Sequence, residues 1–269
     1  MNLSNLGIAI LLTVLAGLST GIGGLIVLLF EKTNTKLLSI ALGFSAGVMI
    51  YVSFVELLFE SRRLLILNLG QEMGIWVNVI AFFGGMLLIA IIDKLVPSYE
   101  NPHEAHMLEE AATCPVDGSQ KLLRTGIFTA VIIAVHNFPE GMATFVSAIQ
   151  QPSLGLAIAI AVAIHNIPEG MSVAIPVFCA TGSRKKALGW SLFSGMAEPV
   201  GAIVAYFILL PFLNDTVFGI LFAGIAGIMV FISLDELLPT AREYGEHHLS
   251  IYGLIAGMML MALSLIVLM

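Results

Sequence analysis

Charged residues and cysteines are both scarce in this chain of 269 residues. Asp, Glu, Lys and Arg make up 11% of it, whereas an ordinary soluble domain contains about 25%. The two cysteines, Cys114 and Cys179, fall in a predicted loop and a predicted membrane span, so we expect no disulfide. A nucleotide-binding loop is also absent from the sequence, which argues against direct ATP hydrolysis. The low charge content excludes an ordinary water-soluble fold.

Apolar residues fill the sequence instead. Hydrophobic residues account for 58% of the chain, and its mean hydropathy is +1.00. Eight apolar runs lie close to the ~20 residues with which a helix crosses a bilayer, and they are too long for barrel strands. We therefore predict an all-α integral membrane protein with eight transmembrane helices. Their predicted ranges are 5–30, 37–59, 74–96, 124–149, 153–181, 186–211, 215–239 and 249–269.

Lysine and arginine are unevenly distributed among the predicted loops. Cytoplasmic loops retain these residues, so their distribution sets the orientation. Those in or beside the odd-numbered loops are Lys32, Lys36, Lys94, Lys121, Arg124, Arg184, Lys185, Lys186 and Arg242. Only Arg62 and Arg63 fall on the other side. We predict that both termini lie outside, and that residues 98–123 form a cytoplasmic loop within a single transmembrane domain of residues 1–269.

One polar hexapeptide occurs twice within these apolar runs. The copies are His136-Asn137-Phe138-Pro139-Glu140-Gly141 and His165-Asn166-Ile167-Pro168-Glu169-Gly170. Ionisable groups at membrane depth are costly, and they usually mark an ion pathway or site. The proline in each copy removes a backbone donor, which predicts a kink that turns the polar side chains inward. The duplicated motif therefore indicates a metal-ion transporter.

The spacing within each copy brings its polar groups together. His136 and Glu140 are four residues apart, as are His165 and Glu169, so each pair shares one helix face. Glu198 is followed by a proline and repeats the combination in the sixth span. Each glutamate of the two motifs has two oxygens, with which it could bridge adjacent ions. The candidate metal ligands are His136, Asn137, Glu140, His165, Asn166, Glu169 and Glu198. Nitrogen and oxygen ligands without thiolates suit Zn²⁺, Fe²⁺, Co²⁺, Mn²⁺ and Cd²⁺.

A second duplication relates the two ends of the chain. Ala46-Gly47-Val48-Met49 in the second span recurs as Ala226-Gly227-Ile228-Met229 in the seventh, and weaker matches relate Gly85 to Gly257 and Gly17 to Gly195. Spans 1–3 therefore correspond to spans 6–8, and an offset of five spans inverts the second copy. We predict a 3+2+3 arrangement with an inverted repeat, which is typical of secondary transporters with a site near the bilayer midplane.

Further polar residues lie near the ends of the spans. Pathway candidates are Ser53, Glu56, Asp235 and Glu236, although solvated rim positions would also explain them. Candidates for docking metal on the cytoplasmic side are His103, His106, His247 and His248. The loop that contains the first two is equally consistent with a polar linker.

Taken together, the paired hexapeptides, eight spans, outside termini and long third loop resemble the ZIP (Zrt/Irt-like) family of divalent-metal transporters. The short chain and the segment Ser233–Tyr244 resemble its bacterial zinc-uptake branch. The resemblance implies a secondary transporter that moves Zn²⁺ into the cytoplasm across the inner membrane of a prokaryote by alternating access. It also implies a homodimer surrounded by membrane lipid, with divalent metal as substrate, no organic cofactor and no nucleic-acid partner.

The resemblance further implies a binuclear site between spans 4, 5 and 6. One ion would be bound by His136, Glu140, His165 and Glu169. The other would be bound by Asn137, Glu140, Asn166, Glu169 and Glu198. Some relatives have Gln and Asp in place of His165 and Asn166.

Two other function classes compete with transport. A membrane-embedded metalloenzyme would need His-Glu-x-x-His or paired Glu-x-x-His motifs, and the sequence contains neither arrangement in these spans. A metal sensor without flux has no use for two access states, so the inverted repeat argues against it. A measurement of metal uptake into proteoliposomes would distinguish a transporter from a metalloenzyme and from a metal sensor.

Overall fold

The computed structural model describes residues 3–29, 35–95, 120–209, 212, 214–244 and 247–268. Eight long helices account for nearly all of these residues, and no strand occurs among them. Four helices are continuous: α1 (Leu3–Leu29), α3 (Gln71–Leu95), α4 (Gln120–Gln150) and α5 (Pro152–Thr181). A fifth continuous helix, α8 (His247–Leu268), ends the described chain.

The other three helices are composite. The segments of α2 are Thr35–Val52, a π-helical turn at Ser53–Leu57 and Leu58–Leu69. Those of α6 are Arg184–Gly195, Ala197–Val204 and a π-helical turn at Ala205–Leu209. Those of α7 are Asp215–Ile232, a π-helical turn at Ser233–Leu237 and Leu238–Tyr244.

Most of these helices are long and apolar enough to cross a membrane. Among the described residues seven spans qualify, one on each helix other than α4. The remaining helix, α4, has 31 residues but carries the polar hexapeptide His136–Gly141 within its apolar stretch. The predicted all-α membrane fold is confirmed.

The second helix is longer than its apolar run. We predicted a span at 37–59, whereas α2 continues to Leu69, and a single residue, Gly70 with φ of 83°, separates it from α3. Arg62 and Arg63 therefore lie on a helix rather than in an open loop. The guanidinium of Arg63 donates two hydrogen bonds to Glu60, at 2.8 and 2.5 Å, which supports a helical turn after the apolar run ends. Hydropathy shows where a membrane ends, but a helix can continue beyond it.

The helices divide into two bundles. In one bundle α5 packs against α1, α4 and α6, and α4 also packs against α6 and α1. In the other α2 packs against α8 and α7, and α3 packs against α7. Contacts between the bundles are formed mainly by α2 against α5. The two predicted motif helices, α4 and α5, therefore belong to one bundle.

Backbone contacts through glycine join α2 to α8. A Cβ atom on Gly47 would collide with the carbonyl oxygen of Leu254, and one on Gly257 would collide with that of Phe44. Glycine at these two positions lets the helices touch backbone to backbone.

The same pair of contacts joins α7 to α3. A Cβ on Gly227 would collide with the carbonyl of Phe82, and one on Gly85 would collide with that of Gly224. The sequence duplication pairs Gly227 with Gly47 in α2, and Gly85 with the equivalent glycine in α8. The α2–α8 and α7–α3 interfaces are therefore built from equivalent residues.

The expectation for the cysteines is wrong. Cys179 is buried near the end of α5 and is disulfide-bonded. Cys114 lies outside the described residues. A sequence-based assignment of one cysteine to a loop and the other to a span does not show which residues are close together in the fold.

Candidate metal site

Seven polar side chains from α4, α5 and α6 are buried together in the first bundle. They are the predicted ligands His136, Asn137, Glu140, His165, Asn166, Glu169 and Glu198, and none is more than 1% exposed. Burying so many polar groups away from water is costly unless they bind one another or a ligand. Their number and burial make this place the candidate functional site.

Each imidazole faces the carboxylate of the opposite helix. His136 Nε2 on α4 lies 3.3 Å from Glu169 Oε2 on α5. His165 Nε2 on α5 lies 3.2 Å from Glu140 Oε2 on α4. The four-residue spacing predicted that histidine and glutamate share a helix face, but the contacts run between the helices. The two hexapeptides therefore form one site.

The asparagines hold Glu198 and the backbone beside these pairs. Asn166 Nδ2 donates to Glu198 Oε1 and, at 3.0 Å, to the carbonyl of Ala16 on α1. Asn137 Nδ2 donates to the carbonyl of Ser194 on α6 at 3.2 Å. Both amides thus use their nitrogen on the protein and leave Oδ1 for another partner.

Several buried acceptors of this site have no hydrogen-bond partner among the described residues. They are Oδ1 of Asn137 and Asn166, Oε1 of Glu140 and Glu169, and Oε2 of Glu198. As placed, no three His, Cys, Asp or Glu side chains of the described chain converge as a metal cage. These oxygens belong to the asparagines and glutamates of the site itself, so they are available to bind a divalent cation.

Close helix packing positions the ligands. A Cβ on Gly141 would collide with the backbone of Glu198, and one on Gly170 would collide with the carbonyl of Thr20 on α1. The last residue of each hexapeptide is therefore a point of backbone contact, which brings Glu198 beside Glu140. The α6 segment that begins at Ala197 follows a break at Met196, consistent with Pro199, which has no amide proton to donate to Gly195.

Both motif helices remain helical through their central prolines. Pro139 lies inside α4 and Pro168 inside α5, without a break in either helix.

The hydroxyl of Ser45 on α2 donates to the carbonyl of His165 at 3.2 Å. This bond links the site to the second bundle.

An open cavity lies at the far end of α4, between the two bundles. We call it the vestibule; its volume is about 820 Å³, and its polar lining includes Glu56, Glu60, Arg63, Gln151 and Ser153. Apolar residues of α2, α5 and α8 complete its wall. The pathway candidate Glu56 thus lines an open cavity at the junction between the bundles.

The structure separates the remaining pathway candidates. Ser53 is fully buried and Glu236 is 9% exposed, each in a π-helical turn, whereas Asp235 is exposed. Glu236 is close enough to His136 for its charge to act on the imidazole, so the π-helical turn of α7 approaches the site.

Of the four histidines proposed to dock metal, the structure describes the side chain of one. His248 lies in the first turn of α8, where its ring stacks on Tyr252 at 6.2 Å between centroids. His103, His106 and the side chain of His247 lie outside the described residues.

Sequence reasoning missed three contributors to the site. The carbonyls of Ala16 and Ser194 orient the two asparagines, and the Ser45 hydroxyl binds the His165 carbonyl. The two carbonyls carry no sequence signal, because any residue type would supply the same oxygen. The helices that carry Ala16 and Ser45, α1 and α2, also lie far from the motifs in sequence.

Comparison with known proteins assigns a family to this arrangement. The model of the family described as "ZIP Zinc transporter" matches residues 98–265. A protein named Zinc transporter ZupT from Chlorobium chlorochromatii is 57% identical over 262 residues, covering 97% of this chain and 98% of that protein. Zinc transporter ZupT of Oceanobacillus iheyensis is 59% identical over 268 residues, covering 99% and 100%. That of Streptococcus mutans is 57% identical over 258 residues, covering 96% of each.

Proposed function

Because this chain belongs to the ZIP family of zinc transporters, we propose that it moves Zn²⁺ across a membrane through the site between α4, α5 and α6. The observation that carries the proposal is the group of three buried glutamates and two buried histidines, with unpartnered acceptors beside them. In a protein that spans the bilayer, such a group of buried side chains supplies ligands that replace the water a cation loses when it enters the site. The direction of transport is into the cytoplasm.

The site holds two ions at once. One is bound by the histidines and the glutamates of the hexapeptides: His136, Glu140, His165 and Glu169. The other is bound by Asn137, Glu140, Asn166, Glu169 and Glu198. The contacts support this division, because the Asn166 amide already touches Glu198 while each imidazole faces a carboxylate of the other helix. Glu140 and Glu169 belong to both sets and bridge the ions.

The ligand set accepts several metals. Imidazole nitrogen suits Zn²⁺, Co²⁺ and Cd²⁺, and carboxylate and amide oxygens suit Mn²⁺ and Fe²⁺ as well. No thiolate belongs to the proposed set. We infer that the protein transports this range of metals with a modest preference for Zn²⁺.

Transport proceeds by alternating access between the two bundles. All the proposed ligands lie on one bundle, so that bundle carries the ion while the other remains in place. The matched glycine contacts at the α2–α8 and α7–α3 interfaces support an inverted repeat of helices 1–3 and 6–8 in a 3+2+3 arrangement. The vestibule gives access from one side, and Glu56 attracts cations into it.

The setting of the protein follows from the same family. It acts as a secondary transporter in the bacterial inner membrane, as a homodimer in contact with lipid, with both termini outside and residues 98–123 in the cytoplasm. It requires no organic cofactor and no nucleic acid, and it is not an enzyme.

Uptake of radiolabelled Zn²⁺ into proteoliposomes tests the proposal. We expect a Glu140→Ala/Glu169→Ala variant to lose at least about tenfold in the uptake rate, since weakening even the supporting residues of a metal site costs about 10–100-fold in affinity. Glu72→Ala is the matched control, because Glu72 is exposed in the first turn of α3. Equal uptake by all three proteins would refute transport through this site.

A further inference from the structure

Two buried hydroxyl groups lie between the vestibule and the site. Thr144 and Ser147 on α4 are fully buried, and neither hydroxyl oxygen has a hydrogen-bond partner within the part of the chain that the structure describes. On α4, positions 140, 144 and 147 fall on one face, and Gln151 directly follows the last residue of the helix. Glu140 belongs to the site and Gln151 lines the vestibule, so the two hydroxyls lie between these two places along the chain.

Four buried hydroxyls of the described residues have no hydrogen-bond partner, those of Thr20, Ser53, Thr144 and Ser147. Other buried hydroxyls donate to a backbone carbonyl, as Thr13 does to Ala9 at 2.9 Å and Ser233 does to Met229 at 2.8 Å. A buried polar group without a partner costs free energy that the fold could have avoided with an alanine. Thr144 and Ser147 therefore have a bonding capacity that the folded chain does not use.

The stretch of α5 between the same two places carries small side chains. Ala157 lines the vestibule, Ala161 is buried one turn further along, and His165 of the site follows after another turn. At 1.5 Å per residue, the route is about 12 Å long on α5 and about 16 Å on α4, a match within one helical turn.

We propose that Thr144 and Ser147 form a conduit that carries the divalent cation between the vestibule and the metal site. Their oxygens replace water molecules that the ion loses on leaving the vestibule. Neutral hydroxyls bind a divalent cation more weakly than carboxylates do, so the ion is passed on to Glu140 rather than retained. The inference rests on the proposed function and adds residues that govern the rate of transport rather than the amount of metal bound.

The test compares the uptake rate with the amount of bound metal. Purified full-length Thr144→Val and Ser147→Ala variants are loaded with Zn²⁺, counted by mass spectrometry and then assayed in proteoliposomes. We expect unchanged metal per protein and a loss of about fivefold in uptake for each hydroxyl removed, equivalent to one hydrogen bond. Thr144→Ser and Ser147→Thr keep the hydroxyl and should restore the rate.

Two further variants sharpen the test. Thr13→Val removes a buried hydroxyl that is bonded within its own helix, and it should leave uptake unchanged. Ala161→Val narrows the route from the α5 side, and it should slow uptake without loss of bound metal.

The outcomes separate this inference from the proposed function. Normal uptake by a Thr144→Val/Ser147→Ala protein would overturn the conduit while leaving zinc transport intact. A parallel loss of bound metal and uptake would also overturn it, because the hydroxyls would then be supports of the site. An unmodified protein that neither binds nor moves Zn²⁺ would overturn the proposed function itself.

Discussion

The glutamates of the two hexapeptides lie at the centre of the site, and each faces a histidine of the other helix. If both bridge two ions, Glu140→Gln and Glu169→Gln should each reduce the binding of both metals, because an amide supplies one acceptor oxygen where a carboxylate supplies two. Asn166→Ala should reduce the binding of one. Metal counting on the purified variants measures this directly, and equal losses for all three would contradict bridging.

His165 gives the site one of its two nitrogen ligands in the proposed set. A borderline-soft nitrogen favours Zn²⁺ and Cd²⁺ over the harder Mn²⁺, and His165→Gln replaces it with an amide oxygen. We expect this variant to keep transporting while its preference for Zn²⁺ and Cd²⁺ over Mn²⁺ declines. Competition of each metal against labelled Zn²⁺ measures the ranking. An unchanged ranking would show that His165 does not bind the ion.

At this scale the sequence identified the residues of the candidate site but not their contacts. The duplicated hexapeptide and Glu198 were recognisable because polar groups are rare in apolar runs. The pairing of His136 with Glu169 was not recognisable from the sequence, since the spacing of four residues suggests a pair within one helix. Contacts between helices depend on how each helix is rotated about its axis and on its depth in the membrane, and a single sequence specifies neither.

Among the helices, α4 and α6 are held together at one glycine. A Cβ on Gly141 would meet the backbone of Glu198, so Gly141→Ala should push α6 away and withdraw the Glu198 carboxylate. We expect the variant to bind less metal, with the loss concentrated on the ion that Glu198 contacts. Gly189→Ala on α6 is the control, because nothing lies within 4 Å of its added methyl group. Full metal binding by Gly141→Ala would show that α6 accommodates the methyl.

The helices themselves were predictable wherever apolar runs and membrane length coincide. The extension of α2 to Leu69 was not, because Arg62 and Arg63 interrupt the apolar run, whereas the helix continues and buries Leu64 and Leu65. The π-helical turns in α2 and α7 have no sequence signature either, although their occurrence at duplicated positions follows the repeat.

For the whole molecule, the equivalent glycine interfaces make a prediction about stability. Gly47→Ala and Gly227→Ala each place a methyl group against a backbone carbonyl, and overpacking of this kind costs about 1–3 kcal/mol. We expect both variants to unfold at a lower temperature in detergent, by similar amounts. Gly84→Ala, which meets nothing within 4 Å, should unfold like the parent protein. A large effect at only one of the two positions would show that the interfaces are not equivalent.

The confinement of the proposed ligands to one bundle has a consequence for how such a protein changes over time. Substitutions that alter the choice of metal can accumulate in α4, α5 and α6 while the other bundle, formed by α2, α3, α7 and α8, keeps its shape. The preference for a metal and the structure of the second bundle can therefore evolve at different rates. A chimera that receives residues 120–209 from a homologue of different preference would be expected to inherit that preference along with the segment.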